Sequence, residues 1–318
     1  MPETLNIVVS IFGLIGLGYV AARTRLLSAE VGERLADFVF TLAIPLLIFD
    51  TLARADLHGV SPWRIWAAYF VPFAVVWALS HLMVVRLFGR DNRAGIVAGG
   101  SAAYGNTVLI GIPLVQTAYG ESGVVILLVV VLVHLPVLMV ISLVLNERAL
   151  AAEGAADRPA RGEAWRRLGL SLATHPILVA MALGILWRFT GLAIPRVAAA
   201  IIEPLARSAG PLALFASGMA LVSYGMARQI RPAFAISALK LLLMPALVLA
   251  AALGLGLSPL GIAAITLAAA CPTGVNAPLI ALRLGTGQAL SSNVLLISTA
   301  GGVITVTLWL VALREFMN

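Results

Sequence analysis

The chain has 318 residues, of which 61% are hydrophobic and 11% are charged, and its formal net charge is +7. A soluble globular domain carries about 25% charged residues, so the composition excludes an ordinary soluble domain. The positive charge is spread over short loops without a basic patch, which argues against nucleic-acid binding. The single cysteine, Cys271, cannot form an internal disulfide.

Nearly charge-free runs of about 18 to 25 residues recur along the chain, and each can span a bilayer as a helix. The first run has no basic segment before it, so we expect a retained helix and not a signal peptide. The runs predict an all-α integral membrane protein with ten transmembrane helices, at roughly 4–22, 34–53, 64–88, 94–118, 122–145, 168–190, 205–226, 232–254, 259–284 and 289–313.

The hydrophilic stretch 146–167 predicts a linker between an N-terminal half, residues 1–145, and a C-terminal half, residues 168–318. Arginines are concentrated in alternate loops, among them those with Arg23, Arg90 and the linker. The arginine-rich side of a membrane protein is normally cytoplasmic. We therefore expect a multi-pass protein of the cell membrane with a cytoplasmic linker and both termini outside.

The two halves resemble each other. The segment PLLIF that begins at Pro45 in predicted helix 2 is similar to PLALF at Pro211 in predicted helix 7. IPLV at 112–115 in predicted helix 4 is similar to APLI at 277–280 in predicted helix 9, and the two offsets agree to within one residue. Because each half has five predicted helices, the halves should enter the membrane from opposite sides. Such an inverted repeat is typical of secondary transporters.

Predicted helices 4 and 9 concentrate glycine, proline, asparagine and threonine near mid-membrane. Proline breaks or kinks a helix, and irregular backbone at that depth is stable only inside protein or beside a wet cavity. Half-helices that begin near Pro113 and Pro278 would point free N–H groups at an anion. Ordinary kinks, with the polar side chains bonded to neighbouring helices, are the alternative. The candidate substrate-binding residues are Gly105, Asn106, Thr107, Gly111, Pro113, Thr273, Gly274, Asn276 and Pro278.

Two charged residues within predicted helices are further candidates. Lys240, the only lysine, could neutralise a helix end or a carboxylate, could couple a proton, or could extend to the interface. Asp50 could bind a coupling cation or lie at the interface.

The four histidines, His58, His81, His134 and His175, lack the spacing of metal ligands on one helix. His134 and His175 each lie close to a proline, so we expect them to form hydrogen bonds with the backbone groups that the proline frees. We expect neither a metal nor a cofactor, and no catalytic motif supports an enzyme.

Two motifs resemble the auxin efflux carrier family, which includes bacterial malonate-type carriers and plant auxin exporters. The stretch 106–114, NTVLIGIPL, with Tyr119-Gly120 after it, is similar to the family's N-T-x-x-x-G-I-P-L and Y-G. Residues 272–278, PTGVNAP, resemble its P-x-G-x-x-x-P segment. Segments around Pro45 and Lys240 also resemble it, so the likeness covers nearly the whole chain.

The resemblance implies two inverted five-helix repeats whose helices 4 and 9 cross at their breaks, with Asn106 near the substrate carboxylate. Helices 1, 2, 6 and 7 would form a scaffold and a homodimer surface, and helices 3–5 and 8–10 a moving transport domain. The expected function is alternating-access transport of a small organic anion, such as malonate or an auxin-like acid. A sodium-coupled carrier of bile-acid-like anions and a non-transporting membrane sensor are the alternatives. Sodium, a proton or no coupling ion all remain open.

Overall fold

The computed structural model describes residues 2–56, 59–152, 161–224 and 230–317, and within these ranges the regular structure is helical. His58 therefore lies outside the described residues. The helices are α1 Pro2–Arg23, α2 Ala29–Arg54, α3 Pro62–Arg86, α4 Asn92–Ala103, α5 Ile112–Ala152, α6 Arg161–Ala173, α7 Pro176–Phe189, α8 Arg196–Leu221, α9 Ile230–Gly254, α10 Pro259–Ala270, α11 Asn276–Arg283 and α12 Gln288–Met317.

Seven helical segments of the described chain are long and apolar enough to cross a membrane, and an eighth results if α6 and α7 form one bent span. The ten predicted spans are therefore not confirmed by helix length. Predicted helices 4 and 9 are each interrupted, which leaves α4 and α10 with 12 residues each. The remainder of predicted helix 4 runs into predicted helix 5 through a kink at Gly120, where φ is 68°.

The helices of the structure differ from the predicted ones in two places. Predicted helix 6 was expected to be one span, but α6 and α7 meet at an angle of 54°. A proline disfavours helical backbone at the preceding residue, and His175 before Pro176 is indeed extended. Helix also continues into the predicted linker from both sides, to Ala152 in α5 and from Arg161 in α6.

The helices pack into two groups. In the first, α1 packs along α8 and α2 packs against α7 and α8. Glycines bring α1 and α8 into backbone contact, since a Cβ on Gly18 would collide with the Phe215 carbonyl and one on Gly218 with the Ile15 carbonyl. The second group contains α3, α4, α5, α9, α10, α11 and α12.

Helices α4 and α10 match in detail. Both are preceded by a side-chain cap, in which Asp91 accepts from the Ala94 amide at 2.7 Å and Ser258 accepts from the Gly261 amide at 3.1 Å. Both end in extended backbone, at Tyr104 and Cys271. The similarity therefore extends from sequence to local conformation.

Candidate functional site

The two helix breaks lie against each other in the second packing group. Residues Gly105 and Thr273 form an isolated antiparallel β-bridge. The Asn106 amide donates to the Pro272 carbonyl at 2.8 Å, and the Gly274 amide donates to the Tyr104 carbonyl at 2.9 Å. The bridge satisfies backbone groups that neither broken helix can satisfy alone. Four helix ends therefore meet at one buried crossing.

Asn106 is the cap of the helical segment that leaves the first break. Its side-chain oxygen accepts from the Leu109 amide at 3.3 Å, and its carbonyl accepts from the Gly111 amide at 2.9 Å in a π-helical turn over Thr107–Gly111. The helical turns thus begin at Thr107, before the predicted start near Pro113. Since the oxygen faces its own helix, the amide nitrogen Nδ2 is the atom of this side chain that can donate to a ligand.

The candidate glycines lie where the two breaks approach closely. A Cβ on Gly274 would lie 3.2 Å from the Gly105 carbonyl oxygen, so a side chain there would push the strands of the bridge apart. A Cβ on Gly105 would lie 3.2 Å from Nζ of Lys240. Gly111 is buried beside the Cys271 sulfur. Small residues at these positions allow the crossing itself.

Thr273 supports the crossing from within. Its hydroxyl donates to the Ser101 carbonyl at 2.7 Å, and its amide donates to Oγ of Ser298 at 3.1 Å. The side chain is fully buried. Because its proton is used within the protein, Thr273 ties the second break to α4 and α12.

Thr107 has a partner that the sequence did not reveal. Its hydroxyl lies 3.2 Å from Nδ1 of His134, which is buried on α5 and stacks on the ring of Tyr104. We expected His134 to bond backbone freed by Pro136, and that expectation is wrong. The fold brings together these two side chains, which are 27 residues apart along the chain.

Lys240 is fully buried and does not extend to the interface. Its ammonium donates to the Ala269 carbonyl at 2.6 Å, in the last turn of α10. A helix C-terminus carries partial negative charge that a cation stabilises. Of the sequence-based alternatives, extension to the interface is therefore excluded, and the ammonium lies where it can neutralise a helix end. Among the described residues classed as buried there is no carboxylate, so the charge of Lys240 is not cancelled by an ion pair.

The second break continues into α11, which begins at Asn276 and contains the buried Pro278. Asn276 lines a cavity of about 500 Å³ between α2, α5, α6, α7 and α11, which we name the α2–α11 cavity. Apolar residues such as Phe40, Leu138 and Ile280 form much of its wall. Its described polar residues are Arg167, Ser171, His175, Asn276 and Arg283.

Asp50 lies in a smaller cavity of about 260 Å³ at the C-terminal end of α2. Its carboxylate accepts from Nε of Arg54 at 2.9 Å, and Arg54 also bonds Glu203 on α8 at 2.9 Å. The carboxylate of Asp50, a candidate ligand for a coupling cation, is therefore paired with Arg54. Pro113, at the start of α5, is near Gly210 of α8, where the two packing groups meet.

A larger crevice of about 960 Å³ separates α1 and α8 from α9 and α12. Most of its described lining is apolar, from Phe12 and Ile15 to Phe234 and Ile297, and Arg23 is its charged residue. An apolar surface does not favour a small anion over water. The α2–α11 cavity, whose lining includes Arg167 and Arg283, is therefore the better candidate for an anion pathway.

The structure brings Gly105, Asn106, Thr107, Gly111, Thr273 and Gly274 together with Lys240. Asn276 and Pro278 follow on the neighbouring helix, whereas Asp50 lies in a separate cavity. No cluster of metal-ligating side chains occurs among the described residues. The contacts of Lys240 and His134 connect residues far apart in sequence, so no local motif indicated them.

The fold and the crossing define an all-helical, multi-pass membrane protein with paired broken helices in its core. The chain belongs to the membrane transport protein family, whose model matches residues 4–310. It is 30% identical over 342 aligned residues to a protein of Rhizobium meliloti (strain 1021) whose name proposes malonate as its substrate, covering 99% of this chain and 97% of that one.

Two further relatives extend the comparison. An uncharacterized transporter of Methanothermobacter thermautotrophicus is 25% identical, over 96% of this chain and 97% of the relative. Auxin efflux carrier component 8 of Arabidopsis thaliana is 31% identical over 150 residues, 44% of this chain and 40% of the relative. Membership of the auxin efflux carrier family, expected from the two motifs, is thereby confirmed.

Proposed function

We propose that this protein is a secondary carrier of a small organic anion, a malonate-like dicarboxylate or an auxin-like acid, that works by alternating access. The observation that carries the proposal is the crossing, where the Asn106 side chain and the Lys240 ammonium both lie next to Gly105 and the described buried residues include no carboxylate. Such a site attracts an anion and repels a cation. The names of the relatives from Rhizobium meliloti and Arabidopsis support the same substrate class.

At the crossing, Nδ2 of Asn106 would donate to the substrate carboxylate. The first N–H groups of a helix have no partner within it, so the amides of Thr107 and Val108, where the helical turns begin, would add donors at a positive helix end. Lys240 supplies the positive charge from the opposite side of Gly105. The anion would reach the site through the α2–α11 cavity, whose Arg167 and Arg283 favour its entry.

The topology proposed for this function is two inverted five-helix repeats, with ten passages of the membrane. The matching caps and lengths of α4 and α10, and left-handed backbone at both Gly120 and Gly285, support the repeat. The first packing group, α1, α2, α7 and α8, would be the scaffold and the homodimer surface, and the second packing group would move against it. We place the protein in the cell membrane with the linker inside and both termini outside.

A sodium-coupled carrier of larger, bile-acid-like anions is the alternative on a related fold. It needs a site for the cation, and Asp50 is paired with Arg54. The structure therefore favours a carrier without sodium. A non-transporting sensor would bind the anion but not move it, which the experiment below distinguishes.

The test is uptake of labelled malonate, and then of a panel of small carboxylates, into proteoliposomes under a sodium gradient, a proton gradient, a membrane potential and no gradient. Saturable uptake supports the carrier. Binding without uptake would instead indicate a sensor. Uptake that requires sodium would favour the sodium-coupled alternative.

Two variants of Asn106 distinguish its role as a helix cap, through the side-chain oxygen, from its proposed role as a donor to the anion, through Nδ2. Asparagine, aspartate and serine cap helices about equally well, so Asn106→Ser and Asn106→Asp should preserve folding. Both remove Nδ2, but serine keeps a shorter hydroxyl donor whereas ionised aspartate has none. A hydrogen bond to a charged group contributes about 1.5–3 kcal/mol, so affinity should fall at least about 10- to 150-fold for aspartate and less for serine. Asn92→Ala, at the exposed start of α4, is the control. Unchanged affinity in folded Asn106→Asp would contradict the assignment.

A further inference from the structure

His134 lies directly behind the first helix break, in contact with two of its residues. Its ring is stacked on Tyr104 with centroids 4.9 Å apart and 12° between the planes. Its Nδ1 lies 3.2 Å from the hydroxyl of Thr107. The side chain is only 5% exposed. His134 is therefore linked to the proposed anion site through a single hydroxyl group.

Buried polar atoms without a partner lie on His134 and on two tyrosines that contact it. The second ring nitrogen of His134, Nε2, has no hydrogen-bond partner in the described chain, and the same holds for the hydroxyls of Tyr69 and Tyr104. The Tyr104 ring is stacked on that of His134, and the rings of Tyr69 and Phe73 each lie 6.0 Å from it. An unsatisfied buried polar atom costs about 1–3 kcal/mol, so such groups persist where they bind water, an ion or a ligand. One such atom on the imidazole and two on its tyrosine neighbours indicate a functional group.

The charges around His134 decide when it can take a proton. The titratable groups that face it are Tyr69 from α3, Tyr104 and Cys271 from the two breaks, and Lys240 from α9. At neutral pH the first three are ordinarily uncharged, which leaves the ammonium. A second positive charge in this apolar surrounding is unfavourable. An anion at Asn106 would remove the repulsion.

We propose that His134 takes up one proton when the anion binds, so that the carrier moves the anion and a proton together. This inference depends on the proposed function. In the empty site, Nδ1 accepts the hydrogen of the Thr107 hydroxyl and Nε2 carries the ring proton. When the carboxylate arrives, the Thr107 hydroxyl donates to it, and Nδ1 binds the incoming proton and donates to the Thr107 oxygen. The imidazolium then holds two N–H groups, one at Nδ1 and one at Nε2.

The proton balance is complete without another reactant. One proton enters with each anion from the same side, and both leave on the other side, where loss of the anion restores repulsion by Lys240. A malonate dianion would then carry a net charge of one negative unit per cycle. Transport should therefore respond to both the proton gradient and the membrane potential.

The experiment measures labelled malonate and protons in the same proteoliposomes, with a pH-sensitive dye trapped inside and protein-free liposomes subtracted. The wild type should acidify the lumen by one proton per malonate. His134→Asn and His134→Gln can still bond Thr107 but cannot hold a proton, so malonate should enter with the proton ratio reduced at least tenfold. His81→Asn, on α3 and not among the ring contacts of His134, should keep the wild-type ratio.

Variants of Thr107 provide the second arm if those of His134 do not fold. Thr107→Val removes the hydroxyl link and should lower the proton ratio, whereas Thr107→Ser should retain it. Malonate entry without proton entry in the wild type, or an unchanged ratio in folded His134→Asn, would overturn the proton coupling and leave the carrier intact. If neither malonate nor any acid of the panel enters, the carrier proposal fails and this inference fails with it.

Discussion

Replacement of Lys240 by methionine isolates the contribution of one buried charge. Methionine has a similar length and volume, and it removes the ammonium that lies against the Ala269 carbonyl. Replacing a buried charge by an apolar residue of similar volume is often neutral for stability. We therefore expect Lys240→Met to fold, with a melting temperature close to that of the wild type.

The expected loss of anion affinity follows from the position of Nζ. A Cβ on Gly105 would be 3.2 Å from it, and the next residue is Asn106. With one residue step and a side chain added, an anion bound to Nδ2 lies roughly 8 Å from the ammonium. At that distance and an effective dielectric constant of about 20, two unit charges attract by about 2 kcal/mol. This corresponds to about 30-fold in the dissociation constant.

The assay is equilibrium binding of malonate to purified protein at fixed ionic strength, together with a thermal melt of each sample. Arg34→Met is the matched control, because it removes the same charge from a side chain that is 76% exposed. Screening by water and salt should leave that variant within about twofold of the wild type. A folded Lys240→Met protein with wild-type affinity would show that the ammonium does not act on the anion.

Two further predictions concern the fold. Gly218→Ala should lower the melting temperature, because its Cβ would collide with the Ile15 backbone and overpacking costs about 1–3 kcal/mol. Gly13→Ala, which has open space at the Cβ, should leave the melting temperature unchanged. Equal melting temperatures of the two variants would refute the close glycine contact between α1 and α8. Thr273→Val should destabilise the crossing by about 1–3 kcal/mol through loss of the hydrogen bond to Ser101, and Thr273→Ser should restore it. A valine variant as stable as the wild type would mean that this bond is dispensable.

Much of this protein could be predicted from its sequence, because a bilayer restricts the possible structures so strongly. Uninterrupted apolar runs favour helices there, and the breaks before Pro113 and Pro278 stand out against them. The existence of both breaks and the family followed from local patterns, whereas the crossing of the breaks, with Asn106 near the substrate, was implied by the family resemblance. The sequence did not predict the bend before Pro176 or the start of the helical turn at Thr107.

The partners of individual side chains were decided only by the tertiary structure. Lys240 and Ala269, Thr107 and His134, and Thr273 and Ser101 are separated by 29, 27 and 172 positions, so no periodicity relates them. Sequence patterns report which residues share one helix face, whereas these contacts depend on how separate helices cross. Burial then excluded extension of Lys240 to the interface, because its ammonium lies deep in the second packing group, against a helix end and not in water.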